Sequence, residues 1–208
     1  MDLSYSNIYL FPSVIHQFDV NDFDEMQNQL IDYVYKMREK DPVGNSISNR
    51  GGWQSKSFSV VNEDDILHLF LINYLSEFLA IKKSVSIKAD AWVNINKPGD
   101  YNVKHNHPFC NLAGVLWIKC SENCGNIEFE NPNLFQTYME SSDIDSKKKG
   151  EIDYYTNDFN IKSNIYPTYY FNPIEGRMIV FPSYLYHYVQ ENKSNQDRIS
   201  VSFNIRLD

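Results

Sequence analysis

Two stretches in the first third of the chain carry apolar residues at helical spacing. Phe23, Met26, Leu30, Ile31, Val34 and Met37 recur every three or four positions, behind an N-cap at Asn21 and an acidic first turn of Asp22, Asp24 and Glu25. This helix should stop near Lys40, before Asp41-Pro42. A second start at Asn62-Glu63-Asp64-Asp65 leads into Ile66, Leu67, Phe70, Leu71, Leu75, Phe78 and Leu79, with Lys82 and Lys83 at the C-terminal end. Its apolar content predicts a core-packing helix. Between the two, Ser48-Asn49-Arg50-Gly51-Gly52-Trp53-Gln54-Ser55 reads as either a tight turn or part of a pocket rim.

From about Ser84 the pattern changes to short β-rich runs separated by turn residues. Eight strands are predicted, over 86–96, 101–105, 113–119, 126–130, 168–171, 177–181, 187–190 and 199–205. Asn96-Lys97-Pro98-Gly99-Asp100 and Asn172-Pro173-Ile174-Glu175-Gly176 are the strongest turns between them. The fold class is therefore mainly β, a sandwich or jelly roll. One domain is expected over 1–208, with a helical part at 1–83 and a β part at 84–208. An insertion at about 133–164 breaks the strand rhythm, and a loop of that length is either functional, covering a site, or a solvated excursion.

At 208 residues the chain can bury one substantial core, and no apolar run approaches the roughly 20 residues a membrane-spanning helix needs. Its start lacks a basic and apolar leader, so a cytoplasmic protein is expected. A net charge of −8 argues against a phosphate-binding surface, and nucleic acid is not expected as a partner. The three cysteines read as reduced thiols, with Cys120 and Cys124 flanking a hairpin tip.

The candidate chemistry lies in the second half. His105 and His107 are two apart on a strand, so both imidazoles share one face, together with Tyr101 and Val103. His187 arrives later on a strand that could face them. Two histidines and one carboxylate are the usual facial ligand set of non-haem iron, and here His107 stands where the acid is expected. Three neutral ligands would leave the metal's charge to be balanced by a dianionic cosubstrate. Arg198 and Ser200, again two apart, can aim a guanidinium and a hydroxyl at one carboxylate, unless a structural acid pairs with the arginine instead. Asn94, Trp117 and Glu128 are candidate pocket residues. His16 and His68 read as structural, and Arg206 as a surface residue.

Several segments together resemble the 2-oxoglutarate and iron(II)-dependent dioxygenase superfamily, in particular a small group of oxygenases of bacteria and phages. They are Asn49 to Ser55, Trp92-Val93-Asn94-Ile95-Asn96, Pro98-Gly99-Asp100, His105-Asn106-His107-Pro108, Gly114-Val115-Leu116-Trp117, Asn131-Pro132, Gly176 to Ser183, His187, and Arg198 to Asn204. The Pro-Gly turn before the histidine pair is also similar to the prolyl 4-hydroxylase arrangement. The resemblance implies a double-stranded β-helix with two N-terminal helices packed on one sheet. It implies Fe(II), 2-oxoglutarate and O2, with His105 and His187 as metal ligands, His107 at the acidic position, and Arg198 with Ser200 on the distal carboxylate. The implied reaction is hydroxylation of a peptide, amino acid or small molecule with release of succinate and CO2. A homodimer is compatible with it. Two other readings stay open: a three-histidine cupin-like dioxygenase that needs no 2-oxoglutarate, and a non-catalytic jelly-roll binding protein.

Overall fold

The computed structural model describes residues 13–60, 65–82, 87–133 and 167–207. Apart from Asn133, the insertion expected at 133–164 lies outside them. The elements run β1 (His16–Asp19), α1 (Asp24–Lys40), β2 (Asn49–Arg50), β3 (Trp53–Gln54), β4 (Phe58–Ser59), α2 (Ile66–Lys82), β5 (Ile87–Asn96) and β6 (Tyr101–His105). They continue with β7 (Leu112–Lys119), β8 (Ile127–Glu130), β9 (Thr168–Phe171), β10 (Arg177–Pro182), β11 (His187–Val189) and β12 (Arg198–Leu207). Every predicted strand forms, each end within two residues of its expected place. β1 to β4 are additional, and the last three of them are too short to show any periodicity.

The strands make two antiparallel sheets. The larger runs β1-β10-β7-β12-β5-β3 with β4 also on β5, and the smaller runs β2-β6-β11-β8-β9. This is the jelly-roll arrangement. Long β5 and β12 pair along their whole length, from Arg198 opposite Asn96 to Leu207 opposite Ile87, and form the stiff centre of the larger sheet.

Strict alternation gives that centre two different faces. Ala89, Ala91, Val93 and Ile95 of β5 and Ile199, Val201, Phe203 and Ile205 of β12 pack with Leu30 and Val34 of α1 and Leu67, Leu71 and Leu75 of α2. The helix residues recur at four-residue spacing, so each helix lays one stripe on the sheet. Burying each large aliphatic side chain contributes roughly 1.5–3 kcal/mol. The opposite face, toward the smaller sheet, carries Trp92, Asn94 and Asn96 from β5 and Arg198, Ser200 and Ser202 from β12. A second apolar cluster, including Val115, Trp117, Ile127, Phe129 and Phe181, fills the rest of the space between the sheets. On the helix-covered face Gly114 is required, because a Cβ would sit 2.3 Å from the Phe203 ring and 2.6 Å from the Ile179 carbonyl oxygen.

The helix starts differ from expectation. No side chain caps α1, and Phe23 rather than Asn21 holds the N-cap position. The chain enters through a backbone turn in which Glu25 N–H donates to Asp22 O, with Asp22 at positive φ. Of the expected acidic first turn, Asp24 and Glu25 remain, while Asp22 precedes the N-cap. At α2 the cap is Asp65, whose Oδ1 accepts from the N–H groups of Leu67 and His68 at 3.0 Å each. Asn62 lies outside the described residues. The Ser48 to Ser55 segment is both things the sequence left open. Gly51 and Gly52, at φ 69° and 55°, turn the chain from β2 in one sheet to β3 in the other, beside the cavity-lining Ser48.

Candidate metal centre

His105 ends β6 and His187 begins β11, and the antiparallel register sets them directly opposite each other. Their ring centroids are 4.4 Å apart. His107 lies just past the end of β6, where its backbone N–H donates to Ser183 O at 3.0 Å. Its ring stacks on that of His187 at 5.1 Å and 6°, and Trp92 of the facing sheet stacks on it from 5.8 Å. One ligand atom from each of the three histidines fits within a mutual separation of 4.8 Å.

Backbone carbonyls fix how two of these rings are used. His105 Nδ1 meets Val103 O at 2.7 Å, and His187 Nδ1 meets Leu185 O at 3.0 Å. An Nδ1–H that donates to a carbonyl leaves the Nε2 lone pair free for a metal, the orientation second-sphere partners usually impose. Asn204, on the cavity side of β12, acts on His107 and favours its protonated form. Burial and the nearby His105 nevertheless hold His107 down to about 4 and His187 to about 3, and burial lowers His105 as well. All three are neutral near pH 7, as coordination requires.

The donor set fits a metal ion. His107 Nε2 and His187 Nε2 are 3.3 Å apart. Two nitrogens at right angles about a metal, each at about 2.1 Å, stand about 3.0 Å apart.

Across the cavity Arg198 is 1% exposed. Its Nη1 donates to Cys124 O, to Gly125 O at 3.2 Å and to Gln190 O at 3.2 Å. Its Nη2 is buried without a hydrogen-bond partner. No ion pair joins the guanidinium to a carboxylate among the described residues; the charge of Asp100 acts on it without pairing with it. A buried guanidinium nitrogen with no partner is costly, and an anionic ligand carboxylate satisfies it. Ser200, two residues on, lines the same cavity.

Other sequence expectations divide. Asn94 and Trp117 line the cavity, Asn94 donating to Ser202 Oγ at 3.1 Å. Glu128 does not line it. On β8 the buried residues are Ile127 and Phe129, so Glu128 faces away and accepts from Gln190 Nε2 at 2.9 Å. Tyr101 is exposed, and Asn102 lines the cavity in its place. The reason is a bulge, since His187 pairs with His105 but Val189 pairs with Asn102, inserting one residue in β6 and reversing the alternation. His68 is structural as expected, its Nδ1 2.7 Å from Asp65 Oδ1, and Arg206 pairs with Asp90 at the sheet surface.

The sequence reading missed the wall that positions Arg198. Asn192 is fully buried, donating to Asn96 O and Gln196 O at 2.9 and 2.8 Å while its Oδ1 accepts from Ser194. This ties the β11–β12 loop, with Gln190 O, over the guanidinium. The Asn-x-Ser pattern of an Asx turn was the available signal.

A family model described as "Putative 2OG-Fe(II) oxygenase" matches residues 90–204. No curated protein matches the chain by sequence. Among solved structures, a prolyl-4-hydroxylase from Pseudomonas putida superposes with a TM-score of 0.62 at 14% identity, over 93% of this chain and 92% of that one. A prolyl hydroxylase from Trichoplax adhaerens, in complex with a hypoxia inducible factor peptide fragment, gives 0.59 at 11% identity over 92% and 83%. The α-ketoglutarate-dependent carbocyclase SnoK of nogalamycin biosynthesis gives 0.58 at 8% identity over 92% and 78%. At these identities the likeness is one of fold, the double-stranded β-helix. Among the described residues no helix is long and apolar enough to cross a membrane.

Proposed function

Since the chain belongs to the 2OG-Fe(II) oxygenase family, which uses Fe(II), 2-oxoglutarate and O2, we propose that His105, His107 and His187 hold its iron and that Arg198 with Ser200 receives the distal carboxylate of 2-oxoglutarate. The observation that carries this reading is the pairing of three converging imidazoles with a buried, unpartnered guanidinium nitrogen across the same cavity. When bound, iron and 2-oxoglutarate supply the oxidising chemistry, with O2 as oxidant and succinate and CO2 as by-products.

The chain's own residues orient and shield. Val103 O and Leu185 O keep the protons of His105 and His187 on Nδ1, away from the metal side. The carbonyls of Cys124, Gly125 and Gln190 hold Arg198 Nη1 and leave Nη2 for the ligand. Trp92, Val115, Trp117 and Phe181 line the cavity with apolar surface and limit water. With three neutral ligands in place of two and a carboxylate, a dianionic cosubstrate carries more of the charge balance.

The substrate is a peptide in this reading. Phe109, two residues past His107, is 92% exposed, and Tyr184 and Tyr186, just before His187, are exposed as well. Aromatic rings beside the ligands offer large rigid contact area to an extended chain. A prolyl hydroxylase of the same fold was solved with a peptide bound.

Anaerobic protein loaded with Fe(II) and titrated with 2-oxoglutarate tests the assignment. The wild type should develop the weak visible charge-transfer band of the chelate, and Arg198→Ala should need a far higher 2-oxoglutarate concentration. Absence of the band in the wild type would overturn the reading in favour of a site without 2-oxoglutarate.

A further inference from the structure

The β7–β8 connection runs from Cys120 to Asn126, and Cys120 and Cys124 flank its turn. Its turn is closed by Cys124 N–H donating to Ser121 O at 3.2 Å, with Asn123 and Gly125 at φ 62° and 91°. Both cysteines are free, Cys120 partly exposed and Cys124 buried. The two thiols flank the same turn and act on each other's titration, and the Arg198 guanidinium adds its positive charge to both. Cys124 thus does two things at once: its sulfur faces Cys120 while its carbonyl accepts from Arg198 Nη1. Gly125 O, on the next residue, is the second acceptor.

We propose that Cys120 and Cys124 form a reversible disulfide whose closure loosens the carbonyl cradle of Arg198 and so lowers affinity for 2-oxoglutarate, an effect that rests on the anchor role given to Arg198 above. The oxidant is a peroxide. The Cys124 thiolate attacks one oxygen of hydrogen peroxide, the O–O bond breaks, and the departing hydroxide takes the thiol proton as water. The Cys120 thiol then attacks the sulfenic sulfur, releasing a second water, so two thiols and one peroxide give one disulfide and two waters. The pair is suited to this sequence. The neighbouring Cys120 thiol is the main cause that draws the Cys124 thiol down to about 6, against the opposing effect of burial, and the Arg198 charge adds to it. Cys120 gives the small oxidant its way in, being the more exposed of the two.

A covalent S–S bond holds two sulfurs at about 2.0 Å, closer than free thiols approach, so the turn must tighten. Cys120 N–H is fixed to Glu175 Oε1 at 2.8 Å, and Cys124 is the end that moves. Its carbonyl moves with it. Nothing comparable surrounds Cys110, whose sulfur donates to His107 O at 3.3 Å.

The test treats the reduced full-length chain with a few equivalents of hydrogen peroxide before iron loading. Intact mass and thiol alkylation are then read, and 2-oxoglutarate is titrated anaerobically with Fe(II). A loss of about 2 Da, one alkylatable thiol in place of three and recovery with dithiothreitol are expected. Cys110→Ser should still close, whereas Cys120→Ser should stop at the sulfenic acid. The oxidised form should bind 2-oxoglutarate roughly tenfold more weakly, reversibly. Three thiols surviving peroxide would overturn the proposal, as would a disulfide form with unchanged 2-oxoglutarate affinity. If the disulfide forms but the reduced protein also fails to bind 2-oxoglutarate, the anchor reading of Arg198 fails while the dithiol site is supported.

Discussion

His107 Nε2 lies 3.3 Å from His187 Nε2, with the two rings nearly parallel. With the His187 proton on Nδ1, its Nε2 presents a lone pair to this contact. Either His107 donates a proton across it or a metal occupies the convergence. If His107 is the third ligand, His107→Ala should lower Fe(II) affinity at least tenfold, the lower bound for second-sphere losses. His107→Asp should retain the metal, because it restores the two-histidine, one-carboxylate set. Bound iron after anaerobic dialysis reads both. Full iron retention by His107→Ala would remove His107 from the ligand set.

The buried histidines also set a pH dependence for the metal-free protein. Unfolded imidazole takes up a proton near about 6.5. Folded His107 and His187 resist protonation down to about 4 and about 3. Below pH 6.5 the unfolded state therefore binds more protons, and stability falls as pH falls until the folded values are reached. Above about pH 7 these groups contribute no slope. Urea midpoints at pH 7.5 and 5 should show the loss, and His187→Gln should flatten it relative to wild type. Equal slopes in the two proteins would refute the assignment.

Asp65 joins the two helices. Its Oδ2 accepts from Tyr33 of α1 at 2.5 Å while its Oδ1 caps α2 and meets His68. Losing a cap costs about 1 kcal/mol and each of the two further hydrogen bonds roughly 0.5–1.5 kcal/mol, so Asp65→Ala should destabilise by about 2–4 kcal/mol. Asp65→Asn should recover the cap. Iron binding should be unchanged in both once folded, since α2 packs on the face of the sheet opposite the cavity. Chemical denaturation followed by an iron titration separates the two effects.

Much of this architecture was legible because pleating imposes a period of two. β5 and β12 showed their alternation in the sequence, and the same alternation put Arg198 and Ser200 on one face. His105, His187 and Arg198 were recognisable by residue type and order. What stayed hidden depends on backbone geometry. The bulge that substitutes Asn102 for Tyr101 leaves no mark in residue order, and the orientation of Glu128 is set by pairing of β8 with β11. The cradle of Arg198 is built from carbonyl oxygens, which every residue possesses. Only glycine hints at it.

Gly125 makes that hint testable. It has φ 91°, and a Cβ there would meet Gln190 O at 2.4 Å and both Glu191 O and Arg198 Nη1 at 2.8 Å. Two of those atoms are backbone and cannot step aside, so the guanidinium must move. Gly125→Ala should cost about 1–3 kcal/mol in stability through the left-handed backbone alone. It should also weaken 2-oxoglutarate binding roughly tenfold, the scale of a charge-assisted contact, while Fe(II) affinity holds. Gly99 separates the two effects, since it has a similar φ of 89° and a Cβ there would meet nothing within 4 Å. Gly99→Ala should carry the backbone cost without the ligand effect. If both variants lose 2-oxoglutarate affinity equally, general destabilisation explains the loss and the close approach at Arg198 does not.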